Sequence, residues 1–321
     1  MNAQGRVSKS AVLILALVLS FSSPAAATQQ KSKKNEKLSQ GTPVLWQEPT
    51  DITERNLLLG PGGAAMQPDL SRVTFIEEEK GGYSKKYRVR DAAGMVWVAK
   101  LGKEAQSETA ATRLVWAAGY LTDISYLVPR LKIEGKGTFE NVRLEARPED
   151  VLRLGEWKWD RNPFSGTREL QGLKVLMALL ENWDLKDANN RILMVRGAGG
   201  NQLRYIISDL GATFGKTGGQ GSPIAMLRSI KGSRNEPADF AEDKFIEKVE
   251  GGLVSLHYSG KNSGMMRGIK VEDARWLGTL LSRLSDRQIQ DAFRAANYKP
   301  EEVRLLSEAV RSRIMKLVQL P

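Results

Sequence analysis

The chain of 321 residues has no cysteine and only one histidine, His257. Without cysteine there is no disulfide framework, no zinc–thiolate site and no cysteine to carry a lipid anchor; a chain of this length can bury a core without disulfide staples. A single histidine cannot supply a multi-histidine metal centre, and the serine- and zinc-hydrolase classes are poorly served by it. Long apolar runs are also scarce. The one at residues 11–21 follows Arg6 and Lys9 and precedes Pro24-Ala25-Ala26-Ala27. It is too short for a comfortable bilayer span, and the order of basic start, apolar run and small residues is that of a secretory signal peptide, expected to be cleaved near Ala27.

What remains is rich in charge, with 48 Lys and Arg against 37 Asp and Glu, a formal +11. Arg6 and Lys9 leave with the signal, and lysines 31, 33, 34 and 37 sit in a polar stretch. The organisation expected is a signal peptide at 1–27, a basic disordered linker at 28–43, an N-lobe at 44–148 and a C-lobe at 149–321. A basic body suits an anionic ligand or an envelope surface. The lysines and arginines are dispersed and no nucleic-acid-binding module is present, which argues against that class of partner.

Within the body, four short stretches stand in a telling order. Val96-Trp97-Val98-Ala99-Lys100 alternates as a strand and ends in lysine. Glu108 lies in an apolar-periodic stretch that closes at Gly119, suited to a helix C-terminus. Asn182-Trp183-Asp184-Leu185-Lys186-Asp187-Ala188-Asn189 follows a helical run at 173–180. Ser208-Asp209-Leu210-Gly211 ends a β-branched and aromatic strand at 205–207. Taken singly, each has a bland explanation: a solvated strand-end lysine, a surface glutamate, a polar turn in which Asp and Asn bond their own backbone, and a strand exit with a permissive glycine.

Taken together they resemble an atypical protein-kinase-like fold, over roughly residues 75–215. Asp184-x-Lys186-x-x-Asn189 has the spacing of a kinase catalytic loop, Asp209-Leu210-Gly211 is similar to the Asp-Phe-Gly segment, and the strand at 96–100 is similar to the one that carries the kinase lysine. The chain looks most like uncharacterised secreted bacterial kinase-like proteins, and more distantly like persister-toxin, phosphatidylinositol and secretory-pathway kinases. The resemblance implies an α+β, two-lobed architecture, with an antiparallel N-lobe sheet plus one helix and a mainly helical C-lobe. It also implies ATP and Mg2+ as cofactors, because phosphoryl transfer needs hard oxygen ligands for the metal, a cation for the phosphates and a carboxylate at the acceptor.

By the same resemblance, Asp184 would orient or deprotonate the acceptor, Lys186 would touch the γ-phosphate, and Asn189 with Asp209 would hold the metal, Asn190 competing with Asn189. Lys100 would contact the α- and β-phosphates and pair with a helix carboxylate, Glu108 first and Glu104 second. The hairpin at 75–90 occupies the place of the phosphate loop, but Gly81-Gly82 is equally a good hairpin turn and is not Gly-x-Gly-x-x-Gly. If that loop covers ATP, Gly81, Gly82, Ser84 and Lys85 would contribute.

The chain departs from the pattern in having no His-Arg before Asp184 and no Ala-Pro-Glu after Asp209. Those departures bear on activation-loop control and on a protein substrate. The implied function is an exported, ATP-dependent phosphotransferase, periplasmic or secreted, acting on an unidentified protein, lipid or glycan. The alternative is an inactive pseudokinase that binds a nucleotide or envelope ligand as a scaffold.

Elsewhere, two strands are expected at 126–133 and 139–146, with Arg147-Pro148 near the hinge. Trp157, Trp159, Pro163 and Phe164 read as core, residues 216–222 as a basic flexible stretch, and residues 273–321 as packed helices starting anew at Ser285 and Pro300.

Overall fold

In the computed structural model, residues 40–80, 84–197, 199–215 and 235–321 are described below. The expected signal peptide, nearly all of the linker, Gly81-Gly82 and the stretch at 216–222 lie outside them.

The N-lobe is built by alternation. Strands β2 (Thr74–Glu79), β3 (Lys86–Arg90), β4 (Val96–Lys100), β5 (Ser125–Ile133) and β6 (Gly137–Ala146) form one antiparallel sheet, in the order β2-β3-β4-β6-β5. Tyr87, Val89, Trp97, Ala99, Val142, Leu144 and Ala146 share one face and make the core. Each large apolar side chain removed from water there contributes about 1.5–3 kcal/mol. The residues between them, Lys86, Arg88, Val98, Lys100, Arg143 and Glu145, therefore share the opposite face.

The single N-lobe helix, α1 (Glu104–Ala117), is buried on nearly every side, so its alanines are fitted to close approach rather than to a solvent face. Gly119 ends it at φ +90, where a Cβ would stand 2.4 Å from the Gln47 carbonyl oxygen. A side chain there meets both the left-handed backbone and that oxygen.

The C-lobe helices α2 (Arg168–Leu179), α3 (Pro237–Glu242), α4 (Val271–Ser282), α5 (Asp286–Arg294) and α6 (Pro300–Val318) have legible starts. Thr167 caps α2 by accepting from the Leu170 amide, Ser285 and Gln288 form a capping box on α5, and Pro300 opens α6. The two-lobed α+β architecture is thus as expected, but the C-lobe holds more sheet than its sequence announced. Strands β7 (Val151–Gly155), β8 (Asn190–Gly197) and β9 (Gly200–Ile207) join β1 (Gly41–Val44) in the order β1-β9-β8-β7. A smaller sheet holds β10 (Ile246–Glu250), β11 (Leu253–Leu256) and β12 (Ile269–Lys270).

Two expectations at the N-terminal side need correction. Residues 41–43, assigned to the disordered linker, are in β1, which pairs in parallel with β9. Residues 44–46, placed in the N-lobe by the expected boundary, contact both lobes. Trp46 bonds the Ala118 carbonyl behind α1 and meets the Trp276 ring of α4 at 5.4 Å. The physical reason is that a strand of four residues, two exposed and none fully buried, carries too little apolar pattern to reveal its partner. Among the described residues no helix is long and apolar enough to cross a membrane.

Candidate active site

Lys100 is the last residue of β4, and the strand alternation that buries Ala99 in the core turns Lys100 toward α1 and the C-lobe. Its Nζ lies 2.9 Å from Glu108, 3.1 Å from Glu104 and 3.0 Å from Asp209. Both of the glutamates offered as its partner are therefore used, one turn apart on α1. Burial would depress the Lys100 ammonium, but Glu108 and Asp209 outweigh it and hold its pKa above the ordinary lysine value. For Glu108 burial wins, and its carboxyl is raised despite Arg143 and Lys100. Burial also works to raise Asp209; Lys100 reverses that and holds it below the ordinary aspartate value.

Asp209 sits just beyond β9, and its carboxylate is 42% exposed, unlike the glutamates. It is the member of the cluster open to a ligand. Gly211 packs its Cα against Glu104, and a Cβ there would lie 2.8 Å from the Glu104 Cβ. That close approach accounts for glycine in the Asp-Leu-Gly segment. Ser107 of α1 adds a 2.7 Å bond to the Gly211 carbonyl.

The second loop is folded by its own polar groups. Lys186 Nζ is 2.8 Å from Asp184, and the Asn189 amide nitrogen donates to the Asp184 carbonyl oxygen. This arrangement spends the nitrogen of Asn189 and leaves its side-chain oxygen for a ligand. Asn190 is buried and donates to the Trp157 carbonyl at 3.1 Å, so it is turned into the C-lobe and out of competition. The loop is buttressed from behind: Asn262 donates to the Leu185 carbonyl, Lys261 N–H to that of Trp183, and a Cβ on Gly260 would stand 2.3 Å from the Trp183 oxygen.

Lys100, Glu108, Lys186, Asn189 and Asp209 line one cleft of about 590 Å³. Asp184 adjoins it through its contacts with Lys186 and Asn189. Ser84 is not on the cleft wall; its hydroxyl donates to Glu104 at 2.6 Å and ties the hairpin to α1. Gly81 and Gly82 lie outside the described residues, and Lys85 stands over the Tyr87 ring.

Asp209 and Asn189 fit magnesium by donor chemistry, both being hard oxygen donors on one cleft. Mg2+ characteristically takes one or two protein oxygens and completes its shell with phosphate and water. Among the described residues no cluster of three or more acidic, histidine or cysteine ligands competes with that pair.

Sequence reasoning missed a second charged network in the wall of the cleft. Arg143 bridges Glu108 at 3.3 Å and Glu145 at 2.7 Å; Glu145 also pairs with Arg147 and Arg153, and Arg153 reaches Asp123 at 2.6 Å. Asp123 accepts from the Ser208 hydroxyl, next to Asp209. Burial opposes the charge on Glu145, yet Arg147, Arg143 and Arg153 pull its pKa far below the usual range. The signal was present as charges alternating with Val142, Leu144 and Ala146. That pattern ordinarily marks a solvated strand face, and only the tertiary fold shows that this face is covered.

No family model matches the chain, and no curated protein does so significantly. Several solved structures are similar in fold. The proinflammatory kinase CtkA of Helicobacter pylori aligns over 77% of this chain and 95% of its own, at 13% identity and a TM-score of 0.44. The Rio2 kinase of Chaetomium thermophilum, solved as an ADP/Mg2+-phosphoaspartate complex, aligns over 78% and 74%, at 12% identity and 0.31. A Golgi casein kinase with Mn/ADP bound aligns over 84% and 78%, at 10% identity and 0.35. At such identities and scores nothing about the chemistry of this chain follows from them.

Proposed function

We propose that the chain is a magnesium-dependent phosphotransferase that moves a terminal phosphoryl group from a phosphoanhydride donor, ATP by resemblance, to a hydroxyl acceptor. One observation carries this reading: residues from four separate stretches, Lys100, Glu108, Lys186 with Asn189, and Asp209, meet on a single cleft. A structural envelope protein has no use for that convergence.

The roles we assign are those the resemblance implies, and position supports them. Lys100, fixed by Glu104 and Glu108, presents a permanent positive charge to donor phosphates. Asn189 and Asp209 would hold magnesium, which when bound neutralises phosphate charge and orients the donor. Lys186 lies 51% exposed at the cleft, placed to follow the transferred group. Asp184, held by Lys186 and the Asn189 amide, is placed to accept the acceptor's proton.

The test is a melting curve of the purified chain with and without magnesium and ATP, followed by a turnover assay. A shift with turnover supports the enzyme, a shift without turnover leaves the scaffold, and no shift removes both. We also propose export with processing near Ala27, supported by the basic start, apolar run and small residues. N-terminal sequencing of the protein recovered outside the cytoplasm checks this; an intact Met1 would replace release with retention by the apolar run.

A further inference from the structure

Small-molecule pockets are as a rule lined mostly by apolar and aromatic side chains, with a few polar groups to fix orientation. This cleft inverts that pattern. Among the described residues, nine lysines and arginines and five acids line it, against Val98 and Ala188 as the apolar members, and none of these lining residues is aromatic. The cause is the strand register. Lys86 lies opposite Lys100 and Lys100 opposite Arg143, while Arg88 and Glu145 flank Val98. Five of these six cleft-face residues are charged. The cations continue past the end of β6 to Arg147, about 13 Å along extended chain from Arg143, and across the cleft to Arg191 on β8.

A planar base set against such a wall finds one valine for apolar contact, whereas a row of phosphates finds a row of guanidinium and ammonium groups. Arg147, Arg153 and Arg191 have acidic or carbonyl partners already, but a guanidinium has five N–H donors and these side chains stay partly exposed.

We infer that the donor is recognised through its phosphates alone and that a linear inorganic polyphosphate occupies this cleft better than a nucleotide does. This rests on the phosphotransferase reading and names the donor class. The terminal P–O–P bridge breaks and a new P–O bond forms to the acceptor oxygen. The chain shortened by one phosphate departs with the bridging oxygen, and the hydroxyl proton passes to Asp184 and then to solvent.

The experiment is calorimetric titration of the full chain, at fixed magnesium, with ATP, tripolyphosphate, a medium-chain polyphosphate and adenosine. Expected are tripolyphosphate within about threefold of ATP, polyphosphate about tenfold tighter than either, and no heat from adenosine. Polyphosphate affinity should also fall more steeply with salt than that of ATP. Arg191→Leu, which replaces a cation by an apolar surface, should weaken polyphosphate about tenfold and ATP much less.

ATP binding about tenfold tighter than tripolyphosphate, or measurable adenosine binding, would overturn the inference on the parent protein alone. Lys100→Ala separates the two levels. If it weakens ATP while polyphosphate fails to compete, only the donor inference falls; if it alters neither ligand, the phosphotransferase reading falls with it.

Discussion

Lys100 and Asp209 are 109 residues apart in the chain and 3.0 Å apart in space, and their ion pair joins the N-lobe sheet to the end of a C-lobe strand. In the proposed reaction the pair is also a point of exchange. Asp209 would hold magnesium and Lys100 would meet the donor phosphates, so a bound ligand would replace the neutralisation that the two residues now give each other.

Lys100→Ala or Asp209→Ala should therefore weaken the melting shift produced by magnesium and ATP. Asp184→Asn should keep that shift and reduce turnover by about a hundredfold or more, the scale of a lost positioned base. Equal turnover in Asp184→Asn and the parent would take Asp184 out of the chemistry.

Glu145 sets an acid limit. Its pKa is lowered on folding, so its contribution to stability is complete above the ordinary glutamate value of 4.5 and is lost as pH falls below it. Glu145→Gln should cost about 3 kcal/mol at neutral pH, since it removes the carboxylate charge shared by buried Arg143 and half-buried Arg147 and Arg153. The gap between variant and parent in denaturant midpoints should narrow below pH 4.5; a gap that is flat with pH would contradict the assignment.

Gly211→Ala puts a methyl group into the 2.8 Å space before the Glu104 Cβ. Overpacking of this kind costs about 1–3 kcal/mol, and here it also pushes Glu104 against Lys100. A lower melting temperature together with weaker ATP binding is expected. A stability loss with unchanged binding would mean that the Lys100 cluster is insulated from this contact.

Gly260→Ala acts from the other side of the cleft, against the backbone of Trp183. Displacing that backbone moves Asp184 without touching Lys100 or Asp209. Turnover should fall by about tenfold or more with nucleotide affinity retained, the sensitivity expected of a geometry-limited step. A matching loss of affinity would place the disturbance elsewhere.

The parts of the fold legible in sequence were those with a strong period or a defined terminus. The Trp97/Ala99 against Val98/Lys100 alternation specified β4, and Ser285 and Pro300 marked helix starts. Site residues were legible where spacing was local, as in 184–189. What escaped depended on long-range partners: β7 has no distinctive pattern, and Arg143 and Glu145 look like solvent-facing charges until α1 and the C-lobe cover them. The choice between Asn189 and Asn190 was equally beyond reach, because one peptide step decides which side chain faces the cleft.

β1 lies in the C-lobe sheet, beside β9, and precedes the whole N-lobe in the chain. The polypeptide therefore crosses between the lobes twice, once near Trp46 and again near Pro148, as a door hung on two straps would be. A cut at the second crossing does not yield two self-sufficient halves: the piece from 149 onward would lack β1 and leave the edge of β9 bare, an invitation to pair with other chains. Because β1 must wait for a partner some 160 residues downstream, completion of the lower sheet is a late event in assembly, after the upper lobe has already emerged.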